Sequence, residues 1–311
     1  MRMAKRTALV TGGAGFIGSH LAERLVADGW RVRVLDDLSS GRMSNLSSVK
    51  SKILVKKASV LDAKAVDEAV AGADTIFHMA AKVSVAESIA KPELYAHVNV
   101  AGLIQVLEAA RKHGVRRFVF PSSASVYSGK GPPRKIEKSP LNPRSPYAVS
   151  KVLGEALCRV FHEDHGIETV SLRLFNVYGP RQDPSSPYSS VIPRFIDALA
   201  KRKRPVVFGD GNQTRDFINI RDSVEALVLA ARSKRAAGEV FNIASGKATT
   251  ILGVFTAARE VTGSKLEPRL VLARQGEVRH SCANITKARR ILGFEPKVSL
   301  REGISQMVRG I

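Results

Sequence analysis

With 311 residues, 44% of them hydrophobic, the chain can bury a large core as one big domain or as a main domain with a smaller lobe. No run approaches the ~20 apolar residues of a membrane span, and the first strand candidate begins too soon after Met1 to leave room for a signal peptide, so a cytoplasmic protein is expected. Lys and Arg number 49 against 28 Asp and Glu, a net charge of +21 that favours anionic partners.

These cations are scattered, with Lys201–Arg204 the one dense run, and no zinc-finger or aromatic RNA-binding sequence accompanies them. A nucleic-acid partner is therefore disfavoured, and an anionic small substrate suits the charge equally well. Cys158 and Cys282 lie far apart without a CxxC spacing, which suggests neither a disulfide framework nor a metal site.

In chain order, apolar runs rich in Val, Ile and Phe predict strands at 8–11, 31–36, 53–57, 75–79, 117–122 and 169–175. Helical periodicity between them predicts helices at 16–28, 63–69, 93–113 and 147–165. The third carries the stripe Val100, Leu103, Val106, Leu107 and Ala110 and stops at Gly114. Buried strands joined by helical crossovers give an α/β fold, a Rossmann-type doubly wound parallel sheet. Beyond Phe175 the regularity breaks. Short strands at 206–208, 217–220 and 240–243 mix with helices at 192–202, 221–233, 252–262 and 286–292. The expected division is a cofactor-binding domain over 1–175 and a smaller α/β substrate lobe over 176–311, with about 217–245 returning to the main domain. The Pro- and Gly-rich stretch 128–145, with its basic pair Arg134 and Lys135, reads as a surface lid.

Between the first strand and the first helix stand Gly12, Gly15 and Gly18. Glycine permits the tight turn and close approach of backbone to a pyrophosphate, and the helix amino terminus presents free N–H groups to it. Asp36 ends the second strand, where a carboxylate accepts hydrogen bonds from adenosine ribose hydroxyls and repels a 2′-phosphate. NAD is the expected cofactor, with Arg42 nearby leaving NADP open.

Tyr147 and Lys151 stand four apart, hence on one helical face, and Pro146 suits the first turn of that helix. An ammonium beside a phenol stabilises the phenolate and lowers its pKa, which makes the tyrosine a usable base. Ser123, at the end of the fifth strand, can orient a substrate oxygen.

The segments TGGAGFIGSH (11–20), FHMAA (77–81), SSASVY (122–127), SPYAVSK (145–151), RLFNVYGPR (173–181), RDFINIRD (215–222) and RQGEVRHS (274–281) resemble the block series of the extended short-chain dehydrogenase/reductase family. Within it they are most similar to the epimerase/dehydratase group and its UDP-glucose 4-epimerases. The resemblance implies Ser123, Tyr147 and Lys151 as catalytic triad. It places Phe16, Ile17, Asp36, Asp37, Leu38, Ser39, Ser40, Ser59, Val60, Met79, Ala80, Ala81, Lys82, Asn99 and Phe175 on NAD. On a UDP-sugar it places Ser84, Ser125, Asn176, Ser190, Arg215, Arg274, Glu277 and Ser281, with Val206 and Phe208 beside the uracil. Two positions depart from the family pattern. Ser59 stands where an aspartate commonly meets adenine, and Ser190 where an asparagine often binds phosphate.

The implied reaction is removal of the 4-hydroxyl proton by Tyr147 with hydride transfer from C4 to the cofactor, rotation of the 4-keto sugar, and return of the hydride to its other face. Dehydratases of the family carry Asp-Glu where this chain has Ala124-Ser125, and decarboxylases tend to carry Glu at the second position, so both are disfavoured. A 4-keto reductase, and an NAD-binding regulatory protein using its basic surface, are the remaining alternatives. The resemblance also implies a homodimer through the helices 93–113 and 147–165. Ser281 is expected beside the sugar C2 substituent, leaving room for an N-acetyl group.

Overall fold

Every residue of strand β1 (Thr7–Thr11) is buried, with Ala8 and Val10 facing one core cluster and Leu9 the other. A strand that is apolar on both sides needs cover on both, which helical crossovers supply. The computed structural model describes residues 6–127, 132–183, 190–273 and 278–309. After β1 come α1 (Phe16–Ala27), β2 (Arg31–Asp36), β3 (Ile53–Lys57), α2 (Ala63–Val70), β4 (Thr75–His78), α3 (Val85–Ala90), α4 (Pro92–Ala96), α5 (Gly102–Lys112), β5 (Arg117–Ser123), β6 (Arg134–Lys135), α6 (Pro146–His165) and β7 (Glu168–Leu174). Then follow β8 (Val177–Tyr178), α7 (Val191–Ala200), β9 (Val206–Phe208), β10 (Thr214–Asp216), β11 (Ile218–Asn219), α8 (Ile220–Arg232), β12 (Val240–Ile243), β13 (Ala248–Thr250), α9 (Ile251–Thr262), β14 (Arg269–Val271), β15 (Cys282–Ala283), α10 (Thr286–Leu292) and α11 (Leu300–Val308).

Among the described residues the main sheet has seven parallel strands in the order β12-β7-β5-β4-β1-β2-β3. On one face lie α1, α8 and α10, through Leu21, Leu25, Val224, Leu227 and Leu292; on the other lie α2, α5 and α6, through Val66, Leu103, Leu107, Cys158 and Phe161. This is the Rossmann-type doubly wound sheet that the alternation predicts. A third cluster, built from Phe195 on α7, Phe255 on α9 and Ile304 on α11, packs apart from these two. No helix among the described residues is long and apolar enough to cross a membrane.

Several elements differ from the sequence expectation. The helix expected over 93–113 is continuous but carries a π-turn at His97–Ala101 between α4 and α5. There Gly102 packs so closely that a Cβ would stand 2.7 Å from Val60 Cγ2. The strand expected over 217–220 ends at Asn219, because its side chain accepts the Arg221 N–H at 2.9 Å and starts α8. Finally α3 and α11 form where no helix is expected, each capped by a serine hydroxyl, Ser84 on Glu87 N at 3.0 Å and Ser299 on Glu302 N at 3.2 Å.

Candidate active site

The chain winds from β1 outward to β3, then returns to β4 on the other side of β1. At the carboxyl ends of these central strands, where such a sheet leaves a crevice, opens a cavity of about 1430 Å³.

One end is built for a dinucleotide. Gly12 has φ +64°, and a Cβ there would lie 2.6 Å from Ala80 N; at Gly18 it would lie 2.2 Å from Gly12 O. The loop thus admits no side chain at either position, and Gly12, Gly15, Phe16, Ile17 and Gly18 line the cavity at the amino terminus of α1. Asp36 is buried beside it, accepting N–H bonds from Ala14 and Leu38, both at 2.8 Å, with lone pairs left for ribose hydroxyls. Burial raises its pKa, against these bonds. Asp37, Ser39, Ser40, Val60, Met79, Ala80, Ala81, Lys82 and Phe175 complete the wall, together with Leu35 and Ala58, which sequence reasoning missed. The Arg42 guanidinium pairs with Asp183 at 3.0 Å.

Leu38, Ser59 and Asn99, expected on the cofactor, do not line the cavity. Leu38 turns at φ +59° with its side chain against the core, and the Ser59 hydroxyl accepts the Leu61 N–H at 3.2 Å. Asn99 acts through the wall. Its Oδ1 accepts Lys82 N–H at 2.8 Å, and its Nδ2 donates to Lys82 O at 2.9 Å and to Ser150 Oγ at 3.0 Å.

In the middle, Ser123, Tyr147 and Lys151 all line the cavity. Ser145 caps α6 through Ala148 N–H at 3.1 Å and Pro146 occupies its first turn, which sets Tyr147 at the inner end of the helix. Burial raises the Tyr147 pKa, opposed by a hydrogen bond with Ser123. The lysine-driven depression expected from the YxxxK spacing is therefore not what the fold alone gives. Lys151 donates to Pro121 O at 2.7 Å, its Nζ is 5.9 Å from the Tyr147 ring centre, and desolvation lowers its pKa to about 8.

The far end holds Ser125, Tyr127, Lys135, Asn176, Arg215 and Ser281. Asn176 Nδ2 is fixed on Asp216 O at 2.8 Å, and Ser281 N–H on Thr214 O at 3.1 Å. The described part of the expected lid, 132–145, is tied down instead. There β6 pairs with β15, Arg134 donates to Gly246 O at 2.8 Å, and Lys135 is buried. Four expected substrate contacts stay off the walls. Ser84 is spent on capping α3, and Ser190 precedes α7 with its hydroxyl buried; Val206 and Phe208 lie on β9, paired with β14. Arg274 and Glu277 fall outside the described residues.

A glycine-cradled dinucleotide end joined to a serine–tyrosine–lysine trio on the wall of the same cavity defines a nicotinamide-dependent enzyme on a Rossmann sheet. The chain belongs to the NAD dependent epimerase/dehydratase family, whose model matches residues 8–244, and its cofactor is NAD. It is 41% identical over 304 residues to a UDP-glucose 4-epimerase of Mycolicibacterium smegmatis, covering 96% of each chain. Among solved structures it resembles the UDP-glucose 4-epimerase of Thermotoga maritima with UDP-glucose, at 37% identity and TM-score 0.92 over 97% of each chain. It also resembles a UDP-N-acetylglucosamine 4-epimerase of Methanobrevibacter ruminantium in complex with UDP-N-acetylmuramic acid, at 35% identity and TM-score 0.94 over 99% of this chain and 98% of that one.

Proposed function

We propose that the protein is a 4-epimerase of UDP-sugars acting through a transient 4-keto sugar. One observation carries this reading: the hydrogen-bonded Tyr147 and Ser123 face the cavity, while the residues after the serine, Ala124 and Ser125, bring no carboxylate of the kind that dehydration or decarboxylation needs. Bound NAD supplies the hydride acceptor and donor, with a positive charge beside the phenol. Ser123 holds the sugar 4-oxygen, Tyr147 takes its proton and later returns it, and the Lys151 charge favours the phenolate against the effect of burial. Arg215 grips the diphosphate as a fork of donors. The similarity to 4-epimerases along nearly the whole chain supports the same reading. The active form is a homodimer through the exposed apolar side of α5 and α6.

Incubation with UDP-galactose tests the reading. The expected result is conversion to an equilibrium mixture with UDP-glucose and no sustained reduced-nicotinamide absorbance. A dehydrated 4-keto product would overturn it.

A further inference from the structure

Lys151 is buried in α6, and among the described residues its ammonium has one hydrogen-bond acceptor, Pro121 O at 2.7 Å. A desolvated ammonium with a single acceptor is poorly compensated. The carboxylate one turn on, Glu155, is already forked by Arg173 at 2.8 and 2.6 Å. What meets the ammonium instead is an aromatic face, for Lys151 Nζ stands over the Phe120 ring, 4.8 Å from its centre. That ring is wedged in place. His78 stacks on it at 6.5 Å between centroids and 24° between planes, and α6 crosses it at Gly154, where a Cβ would come within 2.3 Å of Phe120 Cζ.

Among the described residues, the other titratable groups packed around Lys151 and α6 offer no unengaged anion. Burial raises the pKa of Tyr147 and of Cys158, the latter to about 12, and lowers that of His78 to about 3, so all three are neutral near pH 7. On α3, Glu87 is engaged by the Tyr95 hydroxyl at 3.1 Å and by Lys91 at 3.5 Å.

We infer that Phe120 is a positioning residue, the negative face of its ring holding the Lys151 ammonium as a cation beside Tyr147, whose ring centre lies 5.9 Å from Nζ. This rests on the reading of Lys151 as activator of an epimerase tyrosine. Attraction between a cation and a ring face is strongest where water is excluded, and here it opposes the desolvation that lowers the Lys151 pKa to about 8. Without the ring, the amine gives up its proton at lower pH, and with it the charge that makes Tyr147 a base.

The test follows the Lys151 amine by NMR titration of the purified, NAD-loaded protein carrying isotope-labelled lysine, its signal identified by its loss in Lys151→Met. Wild type is compared with Phe120→Leu and with a protein bearing pentafluorophenylalanine in place of Phe120, which keeps the shape of the ring but reverses the charge of its face. Loss of the attraction should lower the titration midpoint by about one pH unit or more in both, and move the alkaline limb of UDP-galactose turnover down with it. An unmoved midpoint in the fluorinated protein overturns the inference, even if Phe120→Leu fails to fold. A lowered midpoint in a protein that does not epimerise UDP-galactose would remove the epimerase reading and leave Phe120 assigned. Epimerisation with an unmoved midpoint would do the reverse.

Discussion

Arg173 forks onto Glu155 behind the serine-bearing strand, Nε to Oε1 at 2.8 Å and Nη2 to Oε2 at 2.6 Å, with both side chains buried. The same carboxylate accepts the Ser122 hydroxyl, and Arg173 Nη1 donates to the Tyr127 hydroxyl at 2.7 Å, so one ion pair holds β5, α6 and β7 together beneath the cavity. Removing one member leaves a buried charge uncompensated. Glu155→Gln is expected to cost about 3–5 kcal/mol, read from urea denaturation, and Glu155→Leu combined with Arg173→Met to cost less. A double variant less stable than the single would contradict this account.

Tyr147→Phe removes the proposed proton-transfer group and little else. Turnover should fall about 10²-fold or more while the melting temperature and retained NAD stay near wild type. Near-normal turnover in a folded Tyr147→Phe protein would exclude the phenol as base.

His78 sets a dependence of stability on pH. Its ring is fully buried between Thr11, at 3.1 Å from Nδ1, and the stacked Phe118, and burial, then the Lys151 charge, lowers its pKa to about 3. Between pH 6.5 and 3 the unfolded chain therefore binds a proton that the folded one refuses, so stability falls on acidification through this window, by up to roughly 5 kcal/mol. His78→Gln should flatten that part of the stability profile in denaturant titrations from pH 7 to 4. Parallel profiles for both proteins would show that other groups govern the acid limb.

Val149, Leu153 and Val160 on α6 and Ile104 on α5 are each about two-fifths exposed, an apolar stripe on the proposed subunit contact. Light scattering should give twice the 33.6 kDa chain mass for wild type and the single-chain mass for Leu153→Glu at micromolar concentration. A monomeric wild type ends the dimer proposal.

Ser281 lines the cavity with its backbone fixed, so a larger side chain there projects into the space proposed for the sugar C2 substituent. The wild type should interconvert UDP-GlcNAc and UDP-GalNAc as well as the plain hexoses. Ser281→Tyr should abolish the N-acetyl activity, since overpacking a filled site costs about 1–3 kcal/mol, and spare the other. Equal loss of both activities would place the gate elsewhere.

The glycine loop and the Tyr147–Lys151 pair stood out because each is short-range in sequence, a turn or a helical spacing that dictates its own geometry, and Asp36 and Ser123 because each ends an apolar strand. Helices α3 and α11 went unread, although Ser84-x-x-Glu87 and Ser299-x-x-Glu302 carry a start signal that hydrophobic periodicity alone passes over. The burial of Lys135 went unread as well. Beside Arg134 in a Pro- and Gly-rich stretch it looks like surface charge, and only pairing with β15, far along the chain, turns it inward. The raised Tyr147 pKa was equally hidden, since spacing reports a neighbouring charge but not the depth at which a phenol is buried.

The π-turn at His97–Ala101 also governs how the tyrosine-bearing helix is held. In a regular α-helix, residues four apart drift about 40° around the axis, but a wider turn takes up that drift. Tyr95, Asn99 and Leu103 then form a straight ladder against α6. Tyr95 meets the Tyr147 ring edge-on at 6.4 Å between centroids, Asn99 bonds Ser150, and Leu103 seats against Gly154, where a Cβ would come within 3.2 Å of it. Three contacts at successive heights brace α6 against rolling about its own axis, so the bearing of the phenol towards the cavity is set by a neighbouring helix.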